Sequence, residues 1–219
     1  MRLVPNKKEH FISNLEKIQR FTMCDSQALN SIHQAAISIT ENKILGDVVE
    51  CGACNGGTAA LIASVIKTSS RSIWVYDSFE GMPKTDVIDG ASAKEWVGKC
   101  VGSEEKLWEA MDTVSFPRKQ VVLRKGWFDQ TFRLPLPEHI SLLHIDADWF
   151  ASVRLSLETF YDRVSDGGFI ILDDFGYWEG CREAYSDFCN SRQIKPLLER
   201  VGKQQAFWIK GRLHNREML

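Results

Sequence analysis

The sequence predicts an α/β fold, a doubly wound and mostly parallel seven-stranded sheet that ends in an antiparallel hairpin. Three observations carry this. Short apolar runs alternate with helical patterns from about residue 47 onward. These runs are continuously apolar, as strands are when helices cover both faces of a parallel sheet. The last two strand-like segments, 196–201 and 205–210, have only a short turn between them and no helix, so they pair as a hairpin.

The elements follow in order. The chain to about residue 42 reads as two helices, taken as an N-terminal helical segment or lid (1–42) on a domain spanning 43–219. Asp25 is placed as an N-cap before Ala28, Leu29, Ile32, Ala35, Ala36 and Ile39, which recur at helical spacing. Strands are expected at 47–51, 72–76, 120–123, 141–145 and 168–172, with helices beginning near Gly57, Glu104, Asp129, Trp149 and Glu179. The connection from Ser78 to Asp112 holds Gly81, Pro83, Gly90, Gly98 and Gly102 and is too long for a simple link. It is expected to be a substrate lid.

Composition narrows the class. The 219 residues fit one domain, and 44% hydrophobic with 26% charged residues is the balance of a globular protein. A net charge of −2 argues against nucleic acid as the main partner. Lys7, Lys8, Glu9, Glu16, Lys17 and Arg20 interrupt any signal-peptide core, and no uncharged stretch approaches a membrane span. A cytoplasmic protein with no membrane partner is expected. Of six cysteines, Cys51 and Cys54 form a C-x-x-C, but no second pair is spaced for zinc and a glycine turn occupies the same residues. Reduced, incidental thiols are the better reading.

That glycine turn is the strongest functional signal. The strand ending Val49-Glu50-Cys51 runs into Gly52-Ala53-Cys54-Asn55-Gly56-Gly57-Thr58 and an alanine-rich helix. A glycine-rich strand-to-helix turn lets a ligand approach backbone N–H groups at a helix N-terminus. The spacing departs from the Gly-x-Gly-x-x-Gly of pyrophosphate sites and points to S-adenosylmethionine. Asp77, at the end of the second strand, is placed to accept from ribose hydroxyls. Asp146 and Asp148 end the fourth strand, and Asp173 and Asp174 the fifth. Helix capping accounts for one or two of these four carboxylates but hardly for all, and a divalent cation bound by oxygens, Mg²⁺ or Ca²⁺, is the simplest compensation. His144 reads as a hydrogen-bonded core residue. Trp127, Phe128, Trp149, Phe150, Tyr177 and Trp178 follow strand ends and either line a ligand pocket or fill the core. Arg182 either pairs with the clustered acids or faces solvent.

Taken together, Val49-Glu50-Cys51-Gly52 with Gly56-Gly57-Thr58, Asp77-Ser78-Phe79-Glu80-Gly81-Met82-Pro83, Lys125-Gly126-Trp127-Phe128, His144-Ile145-Asp146-Ala147-Asp148 and Asp173-Asp174-Phe175-Gly176 resemble the macrocin O-methyltransferase family over roughly residues 20–210. The resemblance implies a class I, Rossmann-like methyltransferase that uses S-adenosylmethionine and Mg²⁺ to methylate a hydroxyl of a sugar or glycosylated small molecule. It implies cofactor contacts from Glu50, Gly52, Ala53, Gly56, Gly57, Thr58, Asp77, Ser78, Gly126, Trp127 and Asp146. It implies metal ligation by Asp146, Asp173 and Asp174, and makes a homodimer or larger homo-oligomer an expectation. Asp146 and Asp148 form the expected catalytic set, with Asp148 as base on the face it shares with Asp146 if the strand persists. Related catechol-type enzymes place a lysine where this chain has Trp149, which leaves the base open. The alternatives are a catalytically silent module that keeps the cofactor pocket and a nicotinamide-dependent oxidoreductase. The intact carboxylates count against the first, and the glycine spacing and terminal hairpin against the second.

Overall fold

The computed structural model describes residues 7–212. Its seven strands are β1 (Asp47–Cys51), β2 (Ile73–Asp77), β3 (Val121–Lys125), β4 (Ile140–Ile145), β5 (Val164–Leu172), β6 (Glu199–Val201) and β7 (Gln205–Ile209). They lie in the order β3-β2-β1-β4-β5-β7-β6. β1 to β5 pair in parallel, while β7 runs antiparallel to both β5 and β6. The doubly wound sheet with its terminal hairpin is therefore as the sequence predicts.

Among the described residues seven α-helices surround it: α1 (Lys7–Ile18), α2 (Ser26–Glu41), α3 (Gly57–Ile66), α4 (Glu104–Thr113), α5 (Phe128–Thr131), α6 (Phe150–Phe160) and α7 (Glu179–Arg192). Strand alternation divides the core in two. Val48, Leu142, Phe169 and Phe207 face α1 to α4, while Val49, Leu143, Ile170 and Trp208 face α5 to α7. Small residues set the density of the first layer. Ala59, Ala60 and Ala63 are fully buried, so α3 can pack closely against the sheet, α2 and α4 together.

Asp25 caps α2 as expected, its Oδ1 accepting from Gln27 and Ala28 N–H at 2.8 Å. α2 then buries Leu29, Ile32, Ala36 and Ile39 in the core. The strand ends differ from the sequence reading in detail. β2 and β3 run on to Asp77 and Lys125, and β5 starts at Val164, four residues earlier than expected. The early part of β5 is hidden in the sequence because its register against β4 shifts between Ile140 and Leu142 and polar Ser165 and Asp166 interrupt the apolar run. The connection after β2, residues 78–103, carries two short 3₁₀ turns, 87–89 and 91–96. Among the described residues, no helix is long and apolar enough to cross a membrane.

Candidate active site

The carboxyl ends of β1, β2, β4 and β5 open into one cavity of about 580 Å³. It sits where the strand order reverses around β1, the position at which open α/β sheets bind ligands.

One wall is the glycine turn. Gly52, Ala53 and Thr58 border the cavity, with Asp77, Ser78, Gly126 and Trp127 beside them. Asp77 fastens this wall. Its Oδ2 accepts from the N–H groups of Ala53 and Cys54, both at 2.7 Å, and its Oδ1 from Phe79 N–H at 2.6 Å. Three residues expected at the cofactor lie elsewhere. Glu50 is wholly buried inside the sheet, Gly56 packs on Leu107, and Gly57 on the Phe21 backbone and the Thr22 side chain. Even Gly52, at φ +85°, leaves no space for a Cβ because the Asp146 carbonyl oxygen occupies it. These glycines let neighbouring chain approach the turn as much as any ligand.

The opposite wall is acidic. Asp146, Asp148, Asp173 and Asp174 all border the cavity. Asp148 is not carried there by a persisting strand, since β4 stops at Ile145. A three-residue turn at Asp148, φ +54°, is closed by Trp149 N–H to the Ala147 carbonyl at 2.6 Å. Trp178 holds the result, its indole N–H donating to Asp148 Oδ1 at 2.8 Å.

One carboxylate oxygen each from Asp146, Asp148 and Asp174 lie within 4.8 Å of one another, and Cys24, Asp146 and Asp173 form a second such group. Burial pushes the Asp174 carboxyl well above the usual range, and the charges of Asp148, Asp146 and Asp173 add to it. Asp146 is raised in the same way, by burial and then by Asp173 and Asp148. Burial lifts Asp148 to about 7 against the hydrogen bond from Trp178. Burial would also raise Asp173, but its contact with His144 wins and its pKa falls. Asp174 Oδ2 is buried without a partner. Crowded, desolvated carboxylates with an orphaned oxygen fit a hard divalent cation, which would remove the repulsion and take the free lone pairs.

His144 is fully buried, with Nδ1 3.0 Å from Glu50 Oε1 and Nε2 3.5 Å from Asp173 Oδ1. Burial opposes its charge, yet the two carboxylates raise its pKa to about 10. Trp127, Phe128, Tyr177 and Trp178 border the cavity, whereas Trp149 is buried and donates from Nε1 to the carbonyl of Pro83 at 3.0 Å. Arg182 donates to the Phe175 carbonyl at 3.2 Å. Cys51 is buried in the core and Cys54 borders the cavity, both as free thiols.

Residues that the sequence left unmarked complete the site. Cys24 Sγ reaches Asp173 Oδ2 at 3.5 Å, Gln205 Nε2 donates to Asp173 Oδ1 at 2.7 Å, and Trp96 meets Trp178 edge-on. Their segments carry no motif. Only the hairpin register, which sets Leu172 opposite Ala206, would have brought Gln205 to Asp173.

The macrocin O-methyltransferase (TylF) family model matches residues 15–210, which span the whole sheet and every wall of the cavity. The chain belongs to the macrocin O-methyltransferase family. As an O-methyltransferase of the S-adenosylmethionine-dependent class, it has curated relatives in antibiotic biosynthesis. It is 28% identical over 197 residues to mycinamicin III 3''-O-methyltransferase of Micromonospora griseorubida, covering 85% of this chain and 77% of that one. It is 26% identical over 195 residues to 8-demethyl-8-(2,3-dimethoxy-alpha-L-rhamnosyl)-tetracenomycin-C 4'-O-methyltransferase of Streptomyces olivaceus, covering 85% and 74%. Among solved structures, the O-methyltransferase NovP superposes with a TM-score of 0.80 at 26% identity, over 88% of this chain and 83% of that one.

Proposed function

We propose that this enzyme is Mg²⁺-dependent and methylates a hydroxyl of a sugar carried by a small-molecule glycoside. The observation that carries the reading is the crowding of Asp146, Asp148 and Asp174, with one buried oxygen unpartnered, in the cavity that also holds the glycine turn. The names of the antibiotic-sugar relatives support the acceptor class.

The residues divide the work. Gly52, Ala53, Thr58 and Ser78 would receive the amino-acid end and ribose of S-adenosylmethionine, with Asp77 holding the turn in shape and offering the remaining lone pair of Oδ1 to a ribose hydroxyl, and Gly126 and Trp127 closing the adenine side. Asp146, Asp173 and Asp174 would hold the cation. When bound, Mg²⁺ supplies Lewis acidity and a template for two vicinal hydroxyls of the acceptor. Asp148 takes the hydroxyl proton. Burial holds its carboxyl above the ordinary carboxylate range, which suits a base, and Trp178 fixes its orientation. Tyr177, Trp178 and Trp96 offer ring faces and edges to the sugar.

The test is methyl transfer from labelled S-adenosylmethionine to a panel of rhamnosides and other neutral glycosides, with Mg²⁺ or with EDTA. Transfer that needs Mg²⁺ and is absent in Asp146→Asn supports the reading. Full transfer in EDTA refutes the cation requirement.

A further inference from the structure

Glu50 is the acidic residue of the glycine-turn motif, yet it does not touch the cavity. It belongs to a polar rung that crosses four neighbouring strands inside the sheet. β1 and β4 pair Glu50 directly with His144, and the parallel register sets His144 beside Ile171 of β5. Asp173 lies two residues past Ile171 and so returns to the same face. The antiparallel register then delivers Gln205 from β7. The side chains connect accordingly: Glu50 Oε1 to His144 Nδ1 at 3.0 Å, His144 Nε2 to Asp173 Oδ1 at 3.5 Å, and Gln205 Nε2 to the same Oδ1 at 2.7 Å.

This rung is costly. Glu50, His144 and Gln205 have no solvent exposure, Asp173 has 6%, and both Glu50 Oε2 and Gln205 Oε1 are unpartnered. An apolar set of similar volume would stabilise the sheet at least as well. What the rung achieves is geometric. It engages Oδ1 of Asp173 from two sides and leaves Oδ2 as the oxygen presented to the cavity, where Cys24 Sγ approaches it at 3.5 Å.

We infer that Glu50 and His144, with Gln205, are positioning residues that make Asp173 a one-oxygen ligand and thereby favour a small octahedral cation over a larger one. The inference rests on the Mg²⁺ reading given above. A carboxylate free to turn would offer both oxygens, the bidentate mode that Ca²⁺ accepts readily and Mg²⁺ uses little. Hydrogen-bonded supports of ligating carboxylates commonly change metal affinity by about 10–100-fold when removed.

Glu50→Gln and His144→Gln remove the rung's charges without altering any side chain that borders the cavity, and Gln205→Met releases Oδ1 from the other side. Calorimetric titration of each protein, loaded with S-adenosylhomocysteine, with MgCl₂ and separately with CaCl₂ reads cation affinity independently of turnover. Mg²⁺ affinity is expected to fall about 10-fold or more, with the Mg²⁺-to-Ca²⁺ affinity ratio falling as well. S-adenosylhomocysteine affinity is expected to stay within about twofold, since the cofactor wall is untouched. In a variant that keeps its fold, parallel losses of both cation affinities and of cofactor affinity would overturn the positioning role. So would wild-type affinities and ratio in a variant that binds the cofactor normally. If the wild-type protein itself takes up no Mg²⁺, the Mg²⁺ reading fails and this inference falls with it; if only the variants match wild type, the Mg²⁺ reading stands. Gln205→Met gives the same reading should either charged-residue variant fail to fold.

Discussion

On the β1–β2 side of the cavity, Asp77 spends both carboxylate oxygens on three backbone N–H groups of its own chain. On the β4–β5 side, Asp146, Asp148 and Asp174 crowd one another, burial raises their pKa values, and Asp174 Oδ2 has no partner at all. The first wall is complete before a ligand arrives. Such a wall offers a preorganised surface at little reorganisation cost, which suits a cofactor used in every turnover. The second wall is electrostatically unfinished, and only added positive charge or protons relieve it. The proposed function thus places binding and chemistry at different strand ends, and substitutions should separate them.

The largest effect should come from the acidic wall. Asp146→Asn is expected to lower kcat by about 10³-fold, on the scale of a lost Lewis acid, with S-adenosylmethionine affinity changed only a few-fold. Steady-state kinetics beside cofactor calorimetry checks this, and equal losses in both would erase the contrast between the walls. Asp148→Asn should cost about 10²-fold or more in kcat, the usual contribution of a positioned base, and should flatten the pH–rate profile near pH 7. On the other wall the pattern should invert. Asp77→Ala should weaken cofactor affinity by about 10–100-fold, the loss of hydrogen bonds to a charged group, with a smaller effect on kcat at saturating cofactor.

The smallest effect concerns stability. The Asp148 carboxyl is raised to about 7, so protonation favours the folded state. Its contribution is full below the unfolded carboxyl value near 4 and is lost as pH rises through about 7. Without cation, Asp148→Asn should therefore gain thermal stability over wild type as pH climbs from 5 to 8, by a few degrees in Tm. Mg²⁺ should shrink that gain. His33 acts in the other direction in both proteins. Burial, with the His10 charge adding, lowers its pKa to about 4, so its stabilisation is lost as pH falls from about 6.5 through 4. It cancels in the comparison.

What the sequence could reveal follows the same division. The order of strands and helices was legible because β1 to β5 each contain a short apolar run, and glycine or aspartate ends or follows each of those strands. The four aspartates were legible because carboxylates at the end of an apolar strand need a reason. The role of Glu50 was not, because its partner His144 lies 94 positions along the chain and Asp173, which His144 engages in turn, a further 29, and only sheet register brings the three together. The turn at Asp148 was hidden for a different reason, since an isolated aspartate in a left-handed conformation has no sequence signature. The connection 78–103 gave Trp96 no periodicity to stand out from, and its length alone did not mark that residue.

The most direct test of the central claim is an electron paramagnetic resonance titration of Mn²⁺, as a stand-in for Mg²⁺, into wild-type protein and Asp146→Asn, each loaded with S-adenosylhomocysteine at pH 7.5. One Mn²⁺ site per chain that Mg²⁺ displaces, present in wild type and lost in the variant, is the predicted result. No bound Mn²⁺ in wild type, or the same site in both proteins, would contradict it.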